Sequence, residues 1–313
     1  MKNRIVAISM IAGALLMTAL AFSQSTGQGR AVVTILSKQH GESPASVSQQ
    51  AVSIKVNGKE STITSWTPLR GPEARLELVI LIDGASRTSL GRQMGDIEEF
   101  VKGLPPNVKA AIAYMENGAA RFAGPLTTDH AQILANLHIT GGAQGVEASP
   151  YFCLSDLAKK WPGQNSQARR EVVMVTDGVD SYNRQYDPND PYVQAAITDA
   201  ARARLVVYAI YWKSQGLADQ TEYADNTGQN LLALVTHATG GKNFWIGTGD
   251  PVSFAPYFEE LERRLKNQYE LGFIAPAVGK PQVESMKLSL HAPGTEIDAP
   301  SQVYVTPGQS AAR

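Results

Sequence analysis

Two carboxylates stand directly after apolar runs. Asp83 follows Leu78-Val79-Ile80-Leu81-Ile82, and Asp177-Gly178 follows Val172-Val173-Met174-Val175-Thr176. A continuous apolar run of this length suits a strand buried on both faces, and in an open parallel sheet ligands bind beyond the carboxyl ends of such strands. A third loop runs from Gly141-Gly142 to Pro150 and reaches the start of a helix with Ser149 beside it. Carboxylates and a hydroxyl converging from three loops are hard-oxygen ligands, suited to Mg or Mn with water filling the remaining positions. Ser149 has a second reading, as the N-cap of the helix it precedes.

Holding these groups together requires strands and helices that alternate. Strands are expected at residues 78–82, 108–115, 171–176, 205–211 and 243–246, and helices at 90–101, 129–137, 152–161, 192–202, 231–238 and 254–266. The last helix places Phe254, Phe258, Leu261 and Leu265 on one face, and its acids precede its bases, an order that suits the helix dipole. The alternation predicts an α/β fold with a doubly wound, mainly parallel sheet and helices on both faces. Both flanks read as β. Residues 31–36, 51–56 and 61–66 precede the centre, the last two joined by the hairpin signal Asn57-Gly58. Residues 269–274, 284–290 and 302–305 follow it. Neither flank has enough strands alone, so the two are expected to pair into one small sheet or sandwich. The resulting division is 1–23, 24–75, 76–268 and 269–313.

The first of these segments reads as a secretory signal. Lys2 and Arg4 precede an uncharged, mostly apolar run over residues 5–21, with small residues at Ala19, Ala21 and Ser23. Cleavage after Ala21 or Ser23 takes two of the 28 basic residues, leaving 26 against 29 acidic ones. No second run is long enough to cross a bilayer, so the mature chain is expected to be soluble, secreted or periplasmic. Among the 313 residues the near-balance of charge gives no footprint for nucleic acid. The single cysteine, Cys153, excludes an intrachain disulfide and a multi-thiolate zinc site.

With its strand-Asp83-loop, its Gly-rich loop before Ser149 and its Val-Val-Met-Val-Thr-Asp-Gly at 172–178, the chain resembles a von Willebrand factor type A domain. In more detail it is similar to the VWFA-related proteins of the acidobacterial type. Those open with a phrase like Ser53-Ile54-Lys55-Val56-Asn57-Gly58-Lys59-Glu60 and carry a tail opened by Tyr-x-Leu-Gly-aromatic, here Tyr269 to Phe273. The tail also has a strand and Pro-Gly turn, here residues 286–290 and Pro293-Gly294. The resemblance spans about residues 31–307 and implies a metal-ion-dependent adhesion site. Asp83 matches its first Asp, Asp177 its third-loop Asp, and Ser149 its Thr.

The two serines of that pattern are replaced by Ala85 and Arg87, while Ser86 and Thr88 lie one position off. Ala85 offers no side-chain oxygen, and Arg87 is a cation that cannot ligate a metal. At about 4 Å and an effective dielectric near 20, it repels each charge of an ion by roughly 4 kcal/mol. A degenerate site is therefore expected, with no cofactor and with Mg or Mn as the candidate ions if one binds. One consequence of the replacement is that the guanidinium could itself bridge Asp83 and Asp177 in place of the ion.

The loop after Asp177 is crowded by Asp180, Asn183, Asp187, Asn189 and Asp190 but lacks the glycine and terminal glutamate of an EF-hand. With Arg87, its residues Asp180, Tyr182 and Tyr186 form a candidate binding rim, and Tyr192 lies beside them. The chain has no G-x-S-x-G, H-E-x-x-H, Walker or G-x-G-x-x-G motif, and none of His40, His130, His138, His237 and His291 has a catalytic setting. Three functions follow from these residues: a non-enzymatic, protein-binding protein of adhesion or scaffold type, an extracytoplasmic hydrolase of unrecognised type, or a structural envelope component.

Overall fold

The computed structural model describes residues 26–39, 46–71, 74–139, 149–214, 221–247, 249–276 and 279–308. The signal-like segment, His40 and the glycines of the 141–148 loop lie outside them. Strands β1 (Gly27–Ser37), β2 (Val52–Val56) and β3 (Lys59–Pro68) come first. Asn57 and Gly58 have φ of 50° and 72°, the two left-handed positions that a tight two-residue hairpin requires, and Val56 faces Lys59 across the turn.

The centre runs β4 (Leu76–Asp83), α1 (Met94–Gly103), β5 (Lys109–Glu116), β6 (Ala119–Phe122), α2 (His130–Leu134) and α3 (Pro150–Lys159). It continues with β7 (Arg169–Thr176), α4 (Pro191–Ala203), β8 (Leu205–Tyr211), α5 (Glu222–Thr239), β9 (Asn243–Phe244) and α6 (Ala255–Leu265). The strands form one sheet in the order β6-β5-β4-β7-β8-β9. Every pair is parallel except β5–β6. The expectation of a doubly wound parallel sheet thus holds in part: the fold is mixed α/β, and its edge strand runs antiparallel. Asn117-Gly118, with φ of 50° and 71°, makes that last hairpin.

Alternate residues of the buried strands serve opposite faces. Leu78, Ile80, Val173, Val175 and Ile210 pack with Ile97 and Val101 of α1 and Phe258 and Leu261 of α6. Val79, Leu81, Val172, Met174 and Val207 pack instead with Leu154 of α3, Ile197 of α4 and Leu232 of α5. Two cores flank one sheet, which is why these runs carry no polar alternation.

After α6 come β10 (Gln268–Ala275), β11 (Gln282–Leu290), β12 (Thr295–Asp298) and β13 (Gln302–Pro307). The flanks do pair, but not as a small sheet or sandwich. Strands β10-β3-β2-β11-β13-β1 follow one another, and β1 returns to β10, closing a six-stranded antiparallel barrel. The 11-residue length of β1 permits this: one edge pairs with β10 and the other with β13 and then β12. Closure leaves no open strand edge within the ring. Val33, Ile35, Ile54, Leu271, Phe273 and Val305 fill the barrel, so its stability comes from packing and pairing.

Candidate functional site

From β4 the chain crosses to β5 on one side, and from β7 it crosses to β8 on the other. That reversal opens a crevice at the carboxyl ends of β4 and β7, where ligands bind in open α/β sheets. A cavity of about 20 Å³, room for one water-sized occupant, lies there. Asp83, Ala85, Glu116, Ser149, Cys153 and Asp177 are among its lining residues. The three predicted ligand residues therefore do converge, from the end of β4, the start of α3 and the loop after β7.

Each is held by local hydrogen bonds. Asp83 Oδ1 accepts from the Ala85 amide at 2.9 Å, and Oδ2 accepts from Thr176 Oγ1 at 2.6 Å. Asp177 Oδ1 accepts from the Val179 amide at 2.9 Å, and Oδ2 accepts from the Ser214 amide at 3.2 Å. Ser149 Oγ accepts from the Tyr151 amide at 3.2 Å, which is the N-cap role, with Pro150 at the first helical position. Ser149 is thus both cap and cavity wall.

Arg87 does not bridge the two aspartates. Its Nε donates to the Ser214 carbonyl at 3.1 Å, and its Nη1 lies 3.8 Å from Asp250 Oδ2. The cause is local: Arg87 is the residue before a 3₁₀ turn, Thr88–Gln93, and its amide donates to the Lys213 carbonyl, so its side chain is directed along the β8 exit loop. Arg87 consequently ties together the loops after β4 and β8 and the one before α6. The buried methyl of Ala85 lines the cavity, and neither Ser86 nor Thr88 is among the residues that line it. Ala85 and Arg87 supply no side-chain oxygen at two positions of the expected shell, while Ser149 Oγ and each of the four carboxylate oxygens of Asp83 and Asp177 accept one hydrogen bond.

The crowded loop after β7 is a run of side chains bonding their own backbone. Asp180 Oδ1 accepts from the Tyr182 amide and Asp187 Oδ1 from the Asn189 amide, while Asp190 caps α4 through the amides of Tyr192 and Val193. These bonds are the local pattern of turns and a helix cap. Burial pushes the Asp180 carboxyl up, against the opposing Tyr182 amide and Ser149 hydroxyl. Tyr182 and Tyr192 flank the Phe152 ring at centroid distances of 5.2 and 4.7 Å, yet Tyr182 remains 66% exposed and Tyr186 47%.

Sequence reasoning missed Glu116, Lys213, Ser214, Asp225 and Asp250. Lys213 Nζ donates to Asp225 Oδ2 at 2.8 Å, and Tyr211 donates to the other oxygen at 2.6 Å. The signal was available for Lys213 and Ser214, which directly follow the strand expected at 205–211; Asp225 and Asp250 belong to no motif.

Cys153 is a buried thiol pushed up to about 12, by burial first and then by Asp83 and Asp156. It is therefore a poor nucleophile at neutral pH. Alkylation by iodoacetamide at pH 8 is expected to be at least about 100-fold slower in the native chain than in urea, read by mass spectrometry. Equal rates would contradict the burial. His130 and His138 bond backbone carbonyls of Val108 and Asn136 away from the cavity.

No protein-family profile matches the chain, and no curated protein matches it by sequence. Similar solved structures include an aerotolerance-related membrane protein from Bacteroides fragilis with multiple mutations to serines. It is 14% identical, with a TM-score of 0.43 over 61% of this chain and 98% of that one. BatB from Bacteroides thetaiotaomicron is 13% identical, with a TM-score of 0.44 over 61% and 97%. The SpRpn10 VWA domain is 12% identical, with a TM-score of 0.41 over 59% and 95%.

Proposed function

We propose that the chain is an exported, non-enzymatic binding protein whose α/β body, of the von Willebrand type A kind, presents the carboxyl-end rim of its sheet to another protein above a degenerate metal site. One observation carries this reading. Asp83, Ser149 and Asp177 surround a single cavity at the switch point, while Ala85 and Arg87 remove the oxygens that would make it a metal centre. The rim is apolar for a surface. Tyr182, Tyr186, Tyr223, Trp245, Ile246 and Val252 are all exposed in loops or helix starts at that end, and exposed aromatics are characteristic of protein-binding surfaces. Placement with the VWFA-related proteins rests on the order of their motifs along the chain. Export is supported by Lys2, Arg4 and the apolar run after them; among the described residues no helix is long and apolar enough to cross a membrane. A non-enzymatic role is supported by the state of the nearest nucleophiles, since Ser149 Oγ caps a helix and Cys153 stays protonated.

Three measurements test this. A pull-down from the envelope fraction with the mature chain should retain one stoichiometric partner, lost in the Tyr182→Ala/Tyr186→Ala double variant. Turnover of an ester, peptide or glycoside panel, abolished by Asp83→Asn, would favour a hydrolase instead. Calorimetry with Mg or Mn is expected to show no submillimolar binding. Saturable binding that disappears in Asp83→Asn would restore the metal centre.

A further inference from the structure

A second concave surface lies at the opposite edge of the sheet. β8 begins at Leu205 and ends at Tyr211, so its two ends stand roughly 20 Å apart, and Arg204 directly precedes its amino end. There the α/β body meets the barrel, and a cleft of about 540 Å³ opens between them. Its walls carry Arg30 of β1, Arg204, Tyr304 and Thr306 of β13, and Thr64 and Ser65 of β3. Arg30, Arg204 and Tyr304 also line a smaller hollow that adjoins this cleft.

Two guanidinium groups, Arg30 and Arg204, face this cleft against one neighbouring carboxylate, Glu270. Arg204 donates to the Ser166 carbonyl and Arg30 to Gln167 Oε1 at 2.6 Å, both neutral acceptors. The carboxylate paired with Arg30 is Glu270, and its nearest oxygen is 3.9 Å away. Arg202, outside the cleft lining, lies 5.9 Å above the Tyr304 ring and is paired with Asp199 at 3.2 Å. Burial first, then the charge of Arg30, hold the Arg204 guanidinium below its usual range, against the opposing pull of Glu270 and with a smaller push from Arg170. Arg204 also occupies the left-handed region at φ 58°, where glycine or asparagine is the cheaper residue at a helix end. Planar guanidinium groups are suited to pairing with tetrahedral oxyanions, and Thr64, Ser65, Tyr304 and Thr306 add hydroxyl-bearing side chains to walls that also include Phe273 and Ile274.

We propose that this cleft is a binding site for a phosphate or sulfate group, held between Arg30 and Arg204, with the hydroxyls of Thr64, Ser65 and Tyr304 facing whatever carries the anion. The site is independent of the rim at the other end of the sheet. It needs no metal and no motion of the barrel.

The test is calorimetric titration of the full mature chain with inorganic phosphate, sulfate and glucose 6-phosphate at low and high salt. Saturable binding is expected, weakened at least tenfold on raising NaCl from about 50 to 500 mM. Tighter binding of the sugar phosphate than of inorganic phosphate assigns the carrier to the hydroxyl-lined wall; equal affinity for all three assigns the ligand to the free oxyanion. Arg204→Gly removes the guanidinium while suiting the backbone better, so its fold is secure, and Arg30→Gln removes the other. Each is expected to weaken binding about tenfold and the pair to abolish it. No saturable binding of any probe at millimolar concentration, or binding unchanged in the double variant, overturns the proposal.

Discussion

At pH 8 a Glu171→Gln variant is expected to be about 3 kcal/mol more stable than the natural chain, and at pH 4 no different from it. Glu171 lies in β7, fully buried, on the face covered by α6, where the sheet meets the barrel. Its neighbours are Arg169 of the same strand, Tyr208 of β8 and Gln268 of β10, with Arg264 of α6 beyond Tyr208. Gln268 and Tyr208 stand close enough to favour the ionised form, but neither carboxylate oxygen has a partner in hydrogen-bond geometry. Arg169 is itself committed to the Leu265 carbonyl at 2.9 Å and to Gln268. Burial therefore wins, and lifts the Glu171 carboxyl from 4.5 to about 7.

The sign follows from linkage. A carboxyl whose folded value is raised contributes its stability fully below the unfolded value and loses it as pH climbs through the folded one. The window runs from about 4.5 to about 7, and each pH unit within it costs up to roughly 1.4 kcal/mol. Glutamine keeps the shape of the protonated acid and cannot ionise, so the loss disappears. Urea unfolding of both proteins at pH 4, 6 and 8 measures it. Asp180 shifts in the same direction and Glu260 in the opposite one, but both remain in the variant and cancel in the difference. A stability difference that does not change with pH would mean Glu171 finds hydrogen-bond partners in solution.

Where the sequence carried a strong local signal, the fold was legible in it. The strand expected at 205–211 is β8 residue for residue, because a run buried on both faces has no polar positions to blur its ends. Asn57-Gly58 marked a hairpin for the same reason that Asn117-Gly118 marks another, since both pairs place two residues at positive φ. The antiparallel edge β6 that the second opens is absent from the expected strands, its four residues being too short a run to read as one. Helix α5 was expected only over 231–238, yet it starts at Glu222. Its first turns hold Asp225, Asn226, Thr227 and Gly228, whose polarity hides a helix that is nonetheless buried there against the β7 loop. The convergence of Asp83, Ser149 and Asp177 could be inferred from strand ends alone. The direction of Arg87 could not: it depends on Ser214 and Asp250, which lie more than 120 residues away in the chain. Barrel closure is equally non-local, because it depends on which edge of β1 each tail strand reaches.

Gly228→Ala is expected to destabilise the protein by about 3 kcal/mol, although alanine is ordinarily the better helix former by about 1 kcal/mol. Gly228 lies within α5 where the helix crosses the loop after β7. A Cβ there would fall well inside van der Waals contact with the Asp177 carbonyl oxygen, closer than real Cβ atoms come, and 3.1 Å from the Asp177 and Gly178 carbonyl carbons. These are backbone atoms, so no rotamer relieves the clash. Gly178 is fixed in turn at φ 72°, with Leu232 and the Gly228 carbonyl on its other side. Either α5 moves away from the sheet, opening the contact made by Leu231, Leu232 and Val235, or Asp177 is displaced and loses its bonds to the Val179 and Ser214 amides. In a chain of this size the expected loss corresponds to a fall in Tm of roughly 4–6 °C. Gly95→Ala supplies the control, since a Cβ at Gly95 in α1 meets nothing within 4 Å and should be neutral or stabilising by about 0.5 kcal/mol. Thermal melts of the two variants with equal Tm would show that α5 does not press on the loop that carries Asp177. A selective fall in Gly228→Ala would tie the packing of α5 to the loop that carries Asp177.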